Sequence, residues 1–133
     1  MAHHEAVLRA YGLTMTQYTV LLLLSREGGM SGAQLARRCG VTQQSMSSVL
    51  TNMESKELIR REASPVHAKV QIAGLTDEGQ VVLDRAYQEV IVLERALADA
   101  FTPSEHTALC ELLERATAVL IRQTRHATVP PIA

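Results

Sequence analysis

Tryptophan is absent, phenylalanine occurs once, and three tyrosines complete an aromatic content of only 3%. A β-sandwich or barrel draws on β-branched and aromatic residues in repeated short runs, so this scarcity favours helix. Cysteine is equally scarce. Cys39 and Cys110 cannot build a disulfide framework, which points to a reducing compartment. Long hydrophobic runs are missing: the longest, Val20 to Leu24, is five residues, against about 20 for a membrane span. The opening Met1-Ala-His-His-Glu has no basic segment followed by an apolar one, so no signal peptide is read there. No charge of one sign dominates, since 13 basic and 14 acidic residues leave a formal net charge of −1. That excludes a histone-like polycation but not a basic patch on one face. There is no Gly-rich phosphate loop, no His-Glu-x-x-His, no nucleophile elbow and no carboxylate pair placed for a cleft. Together these absences predict a cytoplasmic protein that does not enter a membrane, is not an enzyme and carries neither cofactor nor metal.

What is present is a single globular domain's worth of chain, 133 residues with 47% hydrophobic and 20% charged. Its helix starts are legible. Thr14-x-x-Gln17 and Ser31-x-x-Gln34 are capping boxes. Thr42 caps a helix running to about Lys56, and Thr76 with Asp77 and Glu78 opens another at the positive end of the dipole. Thr102-Pro103-Ser104-Glu105 supplies a cap, a proline at the first helical position and a glutamate at the third. A short first helix is expected over Glu5 to Tyr11, ending at Gly12. Only one region alternates as strand: Val70-Gln71-Ile72, with Leu58 to Arg61 as partner and Ser64 to His67 as the turn.

Residues 31–59 then read as helix-turn-helix, with Gly40-Val41-Thr42 as the turn, and the hairpin makes the unit a winged helix. In the second helix Met46, Val49, Leu50 and Met53 share a face and should be core. Gln44, Ser48, Thr51 and Ser55 lie opposite, with Ser47 on the flank. The groove of double-stranded DNA would meet Gln43, Gln44, Ser45, Ser47, Ser48 and Thr51, because glutamine pairs bidentately with adenine and serine serves several base edges. Charge follows the same division. Between Arg26 and Ile72 seven basic residues face four acidic ones, whereas the rest of the chain holds six against ten. Ser31 and Gln34 at a helix N-terminus, with Arg37, Arg38, Arg60 and Arg61, are the candidate phosphate contacts. The last two helices carry a coiled-coil-like stripe (Leu83, Ala86, Val90, Leu93, Leu97 and Ala100, then Leu109, Leu112, Ala116 and Val119) that predicts a homodimer.

The ordered set Leu35-Ala36-x-x-Cys39-Gly40-Val41, Ser45-Met46-Ser47-x-x-Leu50-x-x-Met53-Glu54-x-x-x-Leu58-Ile59 and Leu75-Thr76-x-x-Gly79, preceded by Gly12-Leu13-Thr14-x-x-Gln17, resembles the MarR family of bacterial transcription regulators. The resemblance spans roughly residues 12–125. It implies a mainly α fold with a small hairpin, a winged helix-turn-helix over about 13–76, dimerisation helices over about 1–12 and 77–125 within a domain of 1–128, and a tail at 126–133. It also implies a ligand-responsive repressor on a pseudo-palindromic operator. The chain departs from the family at the wing, where Ser64-Pro65-Val66-His67-Ala68-Lys69 puts Lys69 in the place of an arginine and His67 in the place of the acid that orients it. Lysine fits a narrow minor groove less well than arginine, so a phosphate contact is the expectation for Lys69. Ser48 and Asn52 stand where relatives often carry arginine, and Glu57 where they carry the glycine that ends the helix. The arm before Gly12 is short for the family, so either the start has been trimmed or the last two helices carry more of the dimer.

By the same resemblance a small phenolic or lipophilic effector would bind between the reading domain and the dimer arms, with Tyr11, Met15, Tyr18 and Tyr87 as candidate lining and Arg9 as a candidate partner for a carboxylate. Two sensing alternatives share the fold. Cys39 stands where the family has a core apolar residue and reads as a small buried hydrophobe, which leaves Cys110, beside Glu111 and Glu114, for a redox sensor, and His106 with Cys110 four residues on would begin a metal site that needs four ligands. A winged helix that binds protein and not DNA is the third alternative, and predicts an apolar patch in place of a basic one.

Overall fold

The computed structural model describes residues 2–126, with α1 (Ala2–Ala10), α2 (Met15–Glu27), β1 (Met30–Ser31), α3 (Gly32–Cys39), α4 (Gln43–Ser55), β2 (Ile59–Ala63), β3 (Gln71–Leu75), α5 (Asp77–Asp99) and α6 (Pro103–His126). The tail assigned to 126–133 lies, beyond His126, outside the described residues. The helix starts fall where the polar residues place them. Thr14/Gln17 and Ser31/Gln34 form reciprocal capping boxes. Thr42 Oγ1 accepts from the Ser45 amide, and Thr76 Oγ1 accepts from the Gly79 amide. Thr102 and Glu105 also bond each other's amides. Each cap satisfies donors that the first helical turn leaves without partners.

The helix-turn-helix bend is set by Gly40, which adopts φ +68 and ψ 30 after α3, while the Val41 amide returns to the Ala36 carbonyl at 3.0 Å. A side chain is costly in that left-handed conformation, and glycine avoids the cost. The end of α4 has the same geometry with the opposite residue choice. The Leu58 amide donates to the Met53 carbonyl at 3.1 Å and the Glu57 amide to the Glu54 carbonyl at 2.9 Å, which holds Glu57 at φ 60. Glu57 therefore takes the left-handed position for which the family resemblance implied glycine.

The chain divides into two compact units, one ending at Ile91 and the other beginning at Val92. The core of the first unit gathers Leu8 from α1, Val20, Leu21 and Leu24 from α2, Leu35 from α3, Met46, Leu50 and Met53 from α4, and Leu83, Ala86 and Val90 from α5. The four-residue apolar face expected on α4 is the buried one, with Val49 partly buried at its edge. The sheet is antiparallel in the order β1-β3-β2, pairing Met30 with Ala73 and Arg61 with Ala73 on the other side. The hairpin strands extend further towards the C-terminus than the alternation indicated. β1 is a two-residue strand that exists only because β3 offers an edge, so no local pattern announces it. Gly79 fixes how α5 leaves the sheet: a Cβ there would lie 2.0 Å from the Leu58 carbonyl oxygen.

The second unit holds the end of α5 and all of α6. Leu97 is 60% exposed, Leu112 53% and Val119 51%. The heptad-like stripe thus divides: Leu83, Ala86 and Val90 are core, Leu93 and Leu109 are partly buried, and Leu97, Ala100, Leu112, Ala116 and Val119 are exposed. Among the described residues no single helix is long and apolar enough to cross a membrane.

Candidate nucleic-acid interface and ligand cavity

On the outer side of α4 the residues Gln43, Gln44, Ser45, Ser47, Ser48 and Thr51 are all exposed. Two of the hydroxyls are already engaged. Ser45 Oγ accepts from Thr42 Oγ1 at 2.9 Å, and Ser48 Oγ donates back to the Gln44 carbonyl at 3.4 Å. Gln43, Gln44 and Ser47 keep their polar groups turned to solvent. Ser31 from the start of α3, Gln43 and Ser47 from α4, Arg61 from β2, and Lys69 and Gln71 from the wing converge on one groove of about 590 Å³. Five of these six were expected in contact with DNA from the sequence. Gln71 was read only as a strand residue, and its place in the groove comes from hairpin register, which local sequence does not reveal.

The expected phosphate contacts separate by partner. Arg38 Nη1 and Nη2 fork onto Glu27 at 2.7 and 2.5 Å, and this hydrogen bonding holds the Glu27 carboxyl below its ordinary range. Arg61 Nε and Nη2 both reach Glu54 Oε2, at 3.0 and 2.6 Å, and lower the Glu54 carboxyl likewise. Arg60 lies on the opposite face of β2, because successive strand residues alternate, and pairs with Glu62 at 3.3 Å. Arg37 and Lys69 pair with no carboxylate of the described residues. Gln34 and Arg37 line a separate hollow of about 300 Å³ beside Glu27. Gln34 spends its carbonyl on the Ser31 amide. His67 is exposed at the hairpin turn, where its amide donates to Ser64 Oγ.

A cavity of about 660 Å³ lies where α1, the α1–α2 linker and the C-terminal half of α4 meet. Arg9, Leu13, Met15, Gln17, Asn52 and Lys56 form most of its wall. Of the four residues expected to line an effector site, Met15 does so. Tyr18 is 7% exposed and part of the core. Tyr87 lines a smaller hollow of about 200 Å³ with Arg26 and Asp84. Tyr11 donates its phenol to Glu89 on α5. That hydrogen bond, more than burial or the negative charge of Glu89, raises the phenol above its ordinary value. The structure therefore does not bring the four together. Asn52 and Lys56, which do line the cavity, were read as part of the DNA-reading helix, and only the tertiary fold shows their second neighbourhood.

Cys39 is partly buried against the core, and desolvation pushes its thiol up. That is the setting of an inert thiol, not of a reactive thiolate. Cys110 is exposed with Sγ 3.9 Å from His106 Nδ1, and among the described residues no group of three or more His, Cys, Asp or Glu could hold a metal ion.

A helix-turn-helix whose second helix shows a polar outer face, with a two-stranded wing beside it, defines a winged helix-turn-helix protein. A MarR-family profile matches residues 11–69. The HTH-type transcriptional repressor Rv2887 of Mycobacterium tuberculosis is 31% identical over 111 residues, 84% of this chain and 80% of the relative. The homoprotocatechuate degradative operon repressor of Escherichia coli is 27% identical over 115 residues, 86% of this chain and 77% of the relative. The crystal structure of AbsC, a MarR family transcriptional regulator from Streptomyces coelicolor, superposes with a TM-score of 0.80 at 28% identity, covering 90% of this chain and 82% of that one. The chain belongs to the MarR family and is a transcription regulator.

Proposed function

We propose that two copies of the chain bind a pseudo-palindromic operator and repress transcription until a small phenolic or lipophilic effector occupies the cavity of about 660 Å³. The observation that carries the DNA reading is the groove that gathers Ser31, Gln43, Ser47, Arg61 and Lys69 from β1, α4, β2 and the hairpin turn onto one face. Each copy would set the N-terminal half of α4 in a major groove, with half-sites roughly 34–36 Å apart, one helical turn of DNA. Exposed Leu97, Leu112 and Val119 supply apolar surface for a second copy, since such a row on long helices is costly in water. Repression is favoured by the relatives, several of which are named repressors. An effector would act by binding one spacing of the two reading heads better than the other.

The test is fluorescence anisotropy of the full chain on duplexes selected from a random library, against scrambled duplexes, across a salt series. Affinity well above that for scrambled DNA, with a steep salt slope, is the expected result. Light scattering on the same sample should give twice the chain mass, and Leu112→Glu with Val119→Glu should reduce it to one. A folded dimer that selects no duplex would sink the DNA reading and leave the protein-binding winged helix.

A further inference from the structure

The segment Leu75-Thr76-x-x-Gly79 carries part of the family resemblance, yet it lines neither the groove beside α4 nor the 660 Å³ cavity. Its residues seat the start of α5 on the end of α4. Thr76 Oγ1 accepts from the Gly79 amide at 3.0 Å, which caps α5, and donates to the Glu57 carbonyl at 2.6 Å. The Thr76 amide donates to the Leu58 carbonyl at 3.2 Å. Gly79 packs so close that a Cβ would lie 2.0 Å from that same carbonyl oxygen. Strand register holds the junction from the side, since Ile59 pairs with Leu75. Glu57 stands at φ 60, past the last residue of α4, where a carbonyl finds no helical amide to accept from. The Thr76 hydroxyl supplies that donor. A hydroxyl can cap and donate at once, because it has one proton and two lone pairs. A carboxylate can cap a helix but has no proton to give. The two tasks of Thr76 are therefore separable by substitution.

We propose that Thr76 is a positioning residue for DNA recognition: by donating to the Glu57 carbonyl it fixes the end of α4 against the start of α5, and so sets where Gln43, Gln44 and Ser47 meet the bases. This rests on the DNA-binding reading above, and adds a residue outside the groove on which base selection depends. Helix α4 carries the alignment forward, being one continuous helix from Gln43 to Ser55. The cap contributes to the stability of α5, and the donated hydrogen bond to the placement of α4.

The experiment compares the full wild-type chain with Thr76→Ser, Thr76→Asp and Thr76→Ala. Serine keeps cap and donor, aspartate keeps the cap alone, and alanine keeps neither. Circular dichroism melting establishes that each is folded at the assay temperature. On a duplex selected by the wild type, Thr76→Ser should bind within about twofold of wild type, and Thr76→Asp and Thr76→Ala each about tenfold more weakly. The salt slope should be unchanged in all of them, because no phosphate contact is removed. A random-library selection with Thr76→Asp or Thr76→Ala should recover a broader set of sequences, which a loss of stability in a folded chain would not produce. Wild-type affinity and preference in Thr76→Asp overturns the proposal and leaves the hydroxyl as a cap only. A loss confined to Thr76→Asp would reflect its added charge and overturns it as well. If the wild type selects no duplex, the DNA reading fails, and amide hydrogen exchange at Lys56, Glu57 and Leu58 still decides the junction. Exchange there should be faster in Thr76→Asp and Thr76→Ala than in wild type and Thr76→Ser, and equal exchange in all four overturns the hold on α4.

Discussion

Arg61 and Glu54 fasten the wing to the DNA-reading helix: two guanidinium nitrogens converge on one carboxylate oxygen at 3.0 and 2.6 Å, and the arginine side chain is only 21% exposed. The pair lies at the edge of the groove that also holds Lys69. Its first effect is to fix the angle between α4 and the hairpin. Arg38 and Arg60 have carboxylates of their own, so of the expected phosphate contacts Arg37 and Lys69 are the cations without an ion pair among the described residues. Lys69→Ala and Arg37→Ala should each weaken every duplex alike and flatten the salt slope by about one phosphate contact. Arg60→Ala should change it less. Anisotropy across a salt series separates them.

Gln44 sits exposed on the outer face of α4, near the end that would enter the groove. Gln44→Ala should broaden the sequences recovered in a random-library selection and cost about 1–3 kcal/mol on the preferred duplex, the discrimination of one bidentate base contact. An unchanged selection would mean that another face of the helix reads the DNA.

Glu54 and Glu27 contribute to the acid limb of stability, beside Glu105, whose carboxyl the Thr102 amide lowers. Arg61 and Arg38 lower the Glu54 and Glu27 carboxyls in the folded chain below the ordinary value of 4.5. A depressed folded value means stabilisation that is fully present above the ordinary carboxylate range and is lost as pH falls through the lowered folded values. Urea midpoints should therefore drop on acidification, and the drop should be shallower in Glu54→Gln with Glu27→Gln. A wild-type-like acid limb in that double variant would show that the two pairs contribute nothing to it.

Glu57 at φ 60 is a non-glycine residue in a left-handed position. Glycine avoids the steric cost there but gives back some of it as unfolded-state entropy, so Glu57→Gly should stabilise the fold by about 0.5–1 kcal/mol. Chemical denaturation measures it, and a loss of stability would show that the left-handed cost is already offset.

The reverse holds at Gly79, where a methyl group would meet the Leu58 backbone at 2.0 Å. Backbone cannot yield as a flexible side chain can, so Gly79→Ala should destabilise by more than about 3 kcal/mol. Thermal melting with near-wild-type stability would mean that α5 shifts to make room.

Much of this fold is written locally. A helix cap needs one side-chain oxygen and a backbone amide three residues on, and Thr14, Ser31, Thr42, Thr76 and Thr102 all carry that information in place. The buried face of α4 follows from spacing alone. Strand β1 does not, because two residues cannot alternate and its partner is some forty residues away. The candidate sites divide the same way. Gln43, Ser47 and Lys69 were legible because a helix face and a turn expose them whatever the tertiary fold. That Arg61 is held by Glu54 and that Lys56 reaches Gly12 depends on packing between distant segments. The same packing places Tyr18 in the core and Tyr87 in another hollow, apart from Met15. Residue type alone could not have sorted those three.

The length of α4 has a mechanical consequence. Thirteen residues make a rod of about 20 Å, too short and too regularly bonded to flex internally. Met46, Leu50 and Met53 grip it along its middle, in a core that does not compress. Such a rod behaves as a lever on a fulcrum. A tilt of its rear end must reappear at the front with similar amplitude, where a base contact tolerates only a fraction of an ångström of misplacement.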